Sequence, residues 1–343
     1  MSLNKQASGG AVEQAYIDLG RRLIKEGEWV YNERTGERCL TLIRHDIEID
    51  LKSEEYPLLT SRDSPFYLGI GELVGYLRGY DSAEQFRSVN SRSWDSNANL
   101  NKDWLANPNR KGEDDLGPIY GAIARSWPVT KPNGDLLSHT VHDIIESMPD
   151  ASESEVVAKL AKLVASHKAM SDAGSPYKPA RIDLLRKVYD DLRAGKDDRG
   201  EILTFWNPGQ FHLGALRPCM YEHIFSLLNG NLTLNSTQRS VDVALGLASS
   251  NLAQVYLMGK LMGQITGNTP DMAHWTGINV HLYEKHVEQM EEQITRPLLP
   301  APKIWINPEI KTLEDIETWV TPKNDFKLLN YQHGDKINYE FTV

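Results

Sequence analysis

Cysteine is what this chain has least of: Cys39 and Cys219 are the only two in 343 residues. Two thiols cannot make a disulfide framework, so the fold must rest on its core, and a reducing compartment is implied. No apolar run approaches the roughly 18 residues that span a bilayer, and the N-terminal MSLNKQASGG has no apolar signal core. A cytoplasmic protein with no membrane partner is expected. Basic charge is also short: 37 Lys and Arg against 47 Asp and Glu give a formal net charge of -10. That disfavours a nucleic-acid polymer, whose phosphates need a basic face, but it leaves room for a small anion held by a few local arginines. Internal repeats and low-complexity tracts are absent too.

What is present reads as an ordinary globular chain, 40% hydrophobic and 24% charged. AVEQAYIDLGRRLIKEGEW (11 to 29) has apolar residues at helical spacing, and RCLTLIRHDIEIDL (38 to 51) alternates with the period of a strand. GIGELVGYLRGY (69 to 80) predicts a buried helix, and 137 to 147 a short one. Within 129 to 196, a capping box at Ser152 and Glu155 opens an amphipathic helix with Val156, Leu160, Leu163 and Val164 on one face. The loop DAGSPYKP and a second amphipathic helix, IDLLRKVYDDLRAG, follow. This stretch predicts a helical insertion within one domain spanning 1 to 343. HIFSLLNGNLTLNSTQRS places two apolar-rich strands around Asn229-Gly230, a dipeptide suited to tight hairpins. LAQVYLMGKLMGQITG reads as a core helix, so the class is α+β.

Cys219 stands out in GALRPCMYEH. A lone cysteine is ordinarily a small buried hydrophobe. Here Pro218 fixes the backbone before it, Arg217 carries a charge of the sign that favours a thiolate, and the polar STQRSVD follows soon after. These features point to a nucleophile, and no Cys/His protease signature accompanies them.

RPCMYEHIFSLLNGNLTLNSTQRSVDVALGL resembles the nucleophile segment of the thymidylate synthase family. ERTGERCL, DLKSEEYPLLTSR, GELVGYLRG, SWD, DLGPIYGAIARSWP, FWNPGQF, GINVHLYEKHVEQMEEQITRPLLPAPKIWI and DFKLLNYQHGD follow in family order. The likeness covers nearly the whole chain outside 129 to 196 and a short stretch near 98 to 113. It implies a mixed sheet packed with helices, and a reaction in which Cys219 adds to C6 of a pyrimidine nucleoside monophosphate, so that C5 attacks a one-carbon unit from methylenetetrahydrofolate or its tetrahydrofolate relatives. By the same resemblance Glu72 manages protons, Tyr120 lies near the nucleophile, and Asn251 faces the base. Arg34, Gln238, Arg239 and Ser240 belong to the nucleotide site, to which Arg199 is contributed across a homodimer with shared active sites. His281 and Tyr283, two apart on a strand and so on one face, bind the sugar. Arg62, Trp94, Asp242, Gly246 and Val343 are implied for the folate. No metal is expected: His281 and His286 have poor spacing and no third ligand.

The departures bear on the product. Gly200 replaces a second arginine, leaving Arg44 as a substitute on charge alone. The family's Leu-Gly-Leu-Pro-Phe-Asn is LGLASSN (245 to 251), one residue longer, and Met220 follows the nucleophile where histidine is usual. Asn251 favours uracil if the extra residue is absorbed before it. Ser93, Asn97 and ASS suggest a wetter folate pocket, in which water rather than hydride completes the reaction. The expectation is therefore hydroxymethylation of dUMP. Reductive methylation to dTMP, CMP or dCMP hydroxymethylation, and a non-catalytic nucleotide- or RNA-binding relative are the alternatives. The presence of Cys219 weighs against the last.

Overall fold

The computed structural model describes residues 9–33, 35–132, 148, 151–172 and 177–340, and the short helix expected over 137 to 147 lies outside them. Two compact units divide the chain: 1–125 with 184–343, and Ser126–Asp183.

In the first unit, α1 (Gly9–Glu26) buries Val12, Tyr16, Leu19 and Leu23. It ends before Gly27, and Glu28–Asn32 forms the edge strand β1, which pairs antiparallel with β2 (Glu37–Asp50). Next comes α2 (Phe66–Arg78), which buries three glycines and ends at Gly79, whose φ of 72° makes the left-handed cap. The first unit also holds α3 (Tyr120–Arg125).

The second unit contains strands β3 (Trp127–Pro132) and β4 (Tyr177–Ile182), paired antiparallel, and helix α4 (Glu153–Asp172). At the start of α4 the Ser152 N–H and Oγ both donate to Glu155 Oε2, at 2.8 and 2.7 Å, so the serine hydroxyl serves the carboxylate and not the helix N–H groups. Part of the DAGSPYKP stretch, read as loop, is thus strand. The second amphipathic helix of that stretch, α5 (Leu184–Arg193), belongs to the first unit and buries Leu185, Val188, Tyr189 and Leu192.

After β5 (Ile202–Thr204) the chain forms the expected hairpin, β6 (Met220–Leu228) and β7 (Asn231–Gln238). Its turn residues Asn229 and Gly230 have φ of 52° and 80°, as a primed turn requires. A two-residue strand, β8 (Val241–Asp242), leads to α6 (Leu252–Thr266), which is buried nearly all round, and then to β9 (Thr269–Tyr283). The main sheet runs β1-β2-β9-β7-β6-β5, with β8 also on β9. It is mixed: β7 and β8 lie parallel to β9 while the other pairings are antiparallel. The fold is therefore α+β, a mixed sheet packed with helices. The parallel step sets the site, because β7 and the residues after it end beside the middle of β9 and at the entry to α6.

Candidate active site

Cys219 stands immediately before β6 and is partly exposed. Its backbone N–H donates to the Tyr120 hydroxyl at 2.9 Å. Arg239, one residue past β7, straps the same loop. Its N–H donates to the Cys219 carbonyl (2.8 Å), its Nε to Pro218 (3.0 Å) and its Nη2 to Arg217 (3.1 Å). The guanidinium lies over the Trp206 ring, 5.1 Å from its centroid. Three consecutive carbonyls held by one arginine leave the thiol little freedom to wander.

Tyr120 is held as firmly. Its φ of 37° is rare for a side-chain-bearing residue, and its ring stacks on Tyr76 with centroids 4.7 Å apart. The next residue must be glycine, because a Cβ on Gly121 would stand 1.8 Å from the Tyr76 carbonyl oxygen.

Glu72 projects from α2. Its Oε1 accepts from Ser93 Oγ at 2.9 Å and its Oε2 from Gln254 Nε2 at 2.5 Å. Burial pushes the carboxyl above the usual range, while the donors on Gln254 and Ser93 pull it back. Beside it Trp94 is 4% exposed and packs on Tyr76, Phe86 and Tyr120, with centroids 5.6 to 6.3 Å apart. Its indole N–H is buried and faces Glu72 and Tyr76, helping to hold the carboxyl in its charged form.

Residues Val243–Asn251 form a π-helix. Its wider turn accommodates an extra residue before Asn251. Asp242 caps this segment, its Oδ1 accepting from Ala244 and Leu245 N–H at 3.0 and 3.2 Å. Gly246 is close enough to Asn251 that a Cβ would lie 3.2 Å from Asn251 Oδ1. The same Oδ1 accepts from Gln238 Nε2 at 3.0 Å, and Gln238 Oε1 in turn accepts from Trp275 Nε1 at 3.1 Å. Gln238 Nε2 also reaches the Ser240 carbonyl. Tyr120, Met220, Asn251 and Gln254 line one cavity, with Phe205 and His223 in its wall. His223 pairs through Nδ1 with Ser236 Oγ at 2.7 Å, and burial pushes it down to about 4, so it is neutral at neutral pH.

Cys219, Tyr120, Arg239, Glu72, Trp94, Gln238 and Asn251 thus form one connected cluster. His281 and Tyr283 share a face of β9 with ring centroids 5.1 Å apart, and His281 is the register partner of Asp242. Arg199 sits apart, exposed on a loop with φ of 67°, its N–H donating to Asp197. Arg62, expected to face a ligand tail, is 5% exposed. It donates to the Ala244 carbonyl at 2.7 Å, and its guanidinium lies over Tyr339. Arg44 is occupied by both carboxylate oxygens of Asp46. Arg34 and Val343 lie outside the described residues. Among the described residues no group of three or more His, Cys, Asp or Glu could hold a metal ion, and no helix is long and apolar enough to cross a membrane.

Gln254 and Ser93, the partners of Glu72, join this cluster without being among the expected site residues. Gln254 lies three residues after Asn251 at the start of α6, a spacing that places both on one helix face, and that spacing was available in the sequence. Ser93 was read only as a lost apolar wall.

A partly exposed thiol on a loop strapped by an arginine, in one cluster with a buried carboxyl and an oriented amide, is an arrangement suited to an enzyme with a cysteine nucleophile. The comparisons with known proteins sharpen this. The family model described as thymidylate synthase matches residues 14–343. A thymidylate synthase of Vibrio parahaemolyticus is 46% identical over 329 residues, covering 96% of this chain and 99% of that protein. Those of Shewanella frigidimarina and Aliivibrio fischeri are 46% and 45% identical over the same shares. The chain belongs to the thymidylate synthase family and is an enzyme of it.

These relatives overturn the expectation of hydroxymethylation, since they carry the name thymidylate synthase across almost the entire chain. At Ser93, one of the positions that suggested a wetter pocket, the hydroxyl is engaged by Glu72 and Ser91.

Proposed function

We propose that this chain is a thymidylate synthase, which converts dUMP to dTMP by reductive methylation at C5. The observation that carries the reading is the strap on Cys219: Arg239 on carbonyls 217 to 219, with Tyr120 on the Cys219 N–H. Such a loop suits a thiolate that must add to C6 of the ring, the pair of electrons moving toward O4. Asn251 accepts a bond from Gln238 on one lone pair of Oδ1. It keeps the other for N3–H of uracil and its Nδ2 for O4. Glu72 serves the proton transfers at the base. Arg239 and Ser240, with Arg34 and an Arg199 contributed across a homodimer, hold the phosphate. His281 and Tyr283 take the sugar hydroxyl.

Methylenetetrahydrofolate supplies the one-carbon unit and the hydride when bound. The residues present fit it: Asp242 spends only Oδ1 on its cap, leaving Oδ2 to accept from a pterin N–H, and the Trp94 ring offers an apolar face. Gly246 and the C-terminal Val343 belong to the same subsite, and Arg62 supports it indirectly through Ala244. The stretch 126–183 is then an insertion in the family domain, and a reducing, cytoplasmic setting belongs to the same reading.

The test is Cys219→Ser. With dUMP tritiated at C5 and methylenetetrahydrofolate, tritium release should vanish while dUMP binding stays measurable, because an alcohol is a far weaker nucleophile at neutral pH. Turnover retained by this variant would remove the covalent mechanism.

A further inference from the structure

The two oxygens of Glu72 are not equivalent. Gln254 Nε2 donates both to Oε2 and to the Gly69 carbonyl, at 2.5 and 3.4 Å. Two acceptors on one amide nitrogen fix the orientation of that amide, so Oε2 faces a group that can only donate. A proton on Oε2 would meet it head-on. Oε1 faces Ser93 Oγ at 2.9 Å, and a hydroxyl can either donate or accept. Behind Ser93, at 2.9 Å, stands Ser91 Oγ, in a residue that is fully buried. With Glu72 ionised, the hydrogen bonds run from Ser91 to Ser93 to Oε1. With a proton on Oε1 the direction reverses, Glu72 donating to Ser93 and Ser93 to Ser91.

We propose that Ser93 is a positioning residue for this carboxyl: with Ser91 behind it and Gln254 opposite, it confines the exchangeable proton of Glu72 to Oε1 and keeps that oxygen hydrogen-bonded in both protonation states. The inference rests on the reading of Glu72 as the group that moves protons at the base. The other titratable groups facing the carboxyl are Tyr76, on the same helix, and Tyr120, from α3. Burial holds both phenols well above their ordinary range, so neither carries charge near neutrality. The Tyr76 hydroxyl and the Trp94 indole also favour the charged carboxyl, and the serine pair is the relay that carries a reversal of hydrogen-bond direction away from it.

A hydroxyl bonds a carboxylate more strongly than it accepts from a neutral acid. Losing Ser93 should thus raise the pH at which Glu72 ionises, by about one unit. Two readouts are needed: the pH profile of product formation, and the titration of the Glu72 carboxyl by infrared difference spectroscopy on protein with isotope-labelled glutamate, assigned against Glu72→Gln. In Ser93→Ala both midpoints should move up together, Ser93→Thr should return them, and Ser91→Ala should move them the same way by less. A Ser93→Ala chain that titrates at the wild-type midpoint overturns the proposal, as does a folded Ser93→Thr chain that fails to restore it. Should Ser93→Ala not fold, Ser91→Ala carries the test, and an unmoved midpoint there refutes it. The infrared titration does not depend on turnover. A shifted midpoint in a chain that makes no dTMP would overturn the functional reading and uphold the placement of the proton.

Discussion

Replacing Trp275 by Phe should weaken the preference for uracil over cytosine nucleotides without touching a residue that meets the base. The reasoning follows one chain of hydrogen bonds. The indole N–H of Trp275 can only donate, so it fixes Gln238 Oε1 toward itself at 3.1 Å and turns Gln238 Nε2 toward Asn251 Oδ1 at 3.0 Å. Asn251 therefore offers an acceptor and a donor in the order that uracil N3–H and O4 require. Cytosine needs the reverse order, and a flipped Asn251 would set its Nδ2 against Gln238 Nε2. The lost bond costs about 1 to 3 kcal/mol in a buried site, or about tenfold to a hundredfold in kcat/KM. Phe removes the stronger of the two groups that orient Gln238, leaving the Ser240 carbonyl at 3.3 Å, so Gln238 turns over more readily and Asn251 can follow it. The ratio of kcat/KM for dUMP to that for dCMP should then fall, by up to about tenfold. Trp275 is fully buried, so the smaller ring also leaves a cavity that costs stability, and the ratio rather than the rate is the readout. Direct competition of the two nucleotides, followed by mass spectrometry, measures it. Gly277→Ala offers a second approach, because a Cβ there would stand 2.3 Å from the Trp275 ring. An unchanged ratio in a folded, active Trp275→Phe enzyme would refute the argument that this chain of bonds orients Asn251.

Two further outcomes follow from single residues. Arg199→Ala should weaken dUMP binding, and mixing it with Cys219→Ser should recover activity in heterodimers that hold one intact site; no recovery after proven subunit exchange would count against a shared site. His223 is depressed to about 4 in the fold by burial and titrates near 6.5 when unfolded. The unfolded chain therefore takes the proton first as pH falls, so stability drops between about pH 6.5 and 4, by about 3 kcal/mol at most. His223→Gln, which retains a partner for Ser236, should flatten that part of a urea-unfolding profile against pH, and an unchanged slope would show that other groups control it.

Much of this architecture was legible in the sequence where local signals and tertiary packing agree. Asn229-Gly230 declared its hairpin because few other dipeptides tolerate two positive φ angles in succession. The continuous apolar run from Leu252 declared a core helix because it is buried nearly all round. Cys219 with QRSVD marked a candidate nucleophile loop, though not how the two are linked: the strap runs from the Arg239 N–H and guanidinium to backbone carbonyls, which no side-chain pattern records. Other features were illegible for similar reasons. Ser93 looks like a missing apolar wall until its hydroxyl is seen on Glu72. Arg62 is implied by the family resemblance for the folate, whereas the fold buries it under Tyr339 and against Ala244. The first helix stops at Glu26, before Gly27, and what its spacing did not show is that Trp29 and Val30 go on to pair with β2, a long-range contact.

The measurement that bears most directly on the account is the mass of the nucleotide made from dUMP and methylenetetrahydrofolate by the purified wild-type enzyme, with the folate product identified in the same run. A strapped Cys219, an ionisable Glu72 served by Ser93, and an Asn251 oriented for uracil predict dTMP and dihydrofolate in equal amounts. A product heavier by a further oxygen, with tetrahydrofolate released instead, or no conversion of dUMP at all, would contradict it.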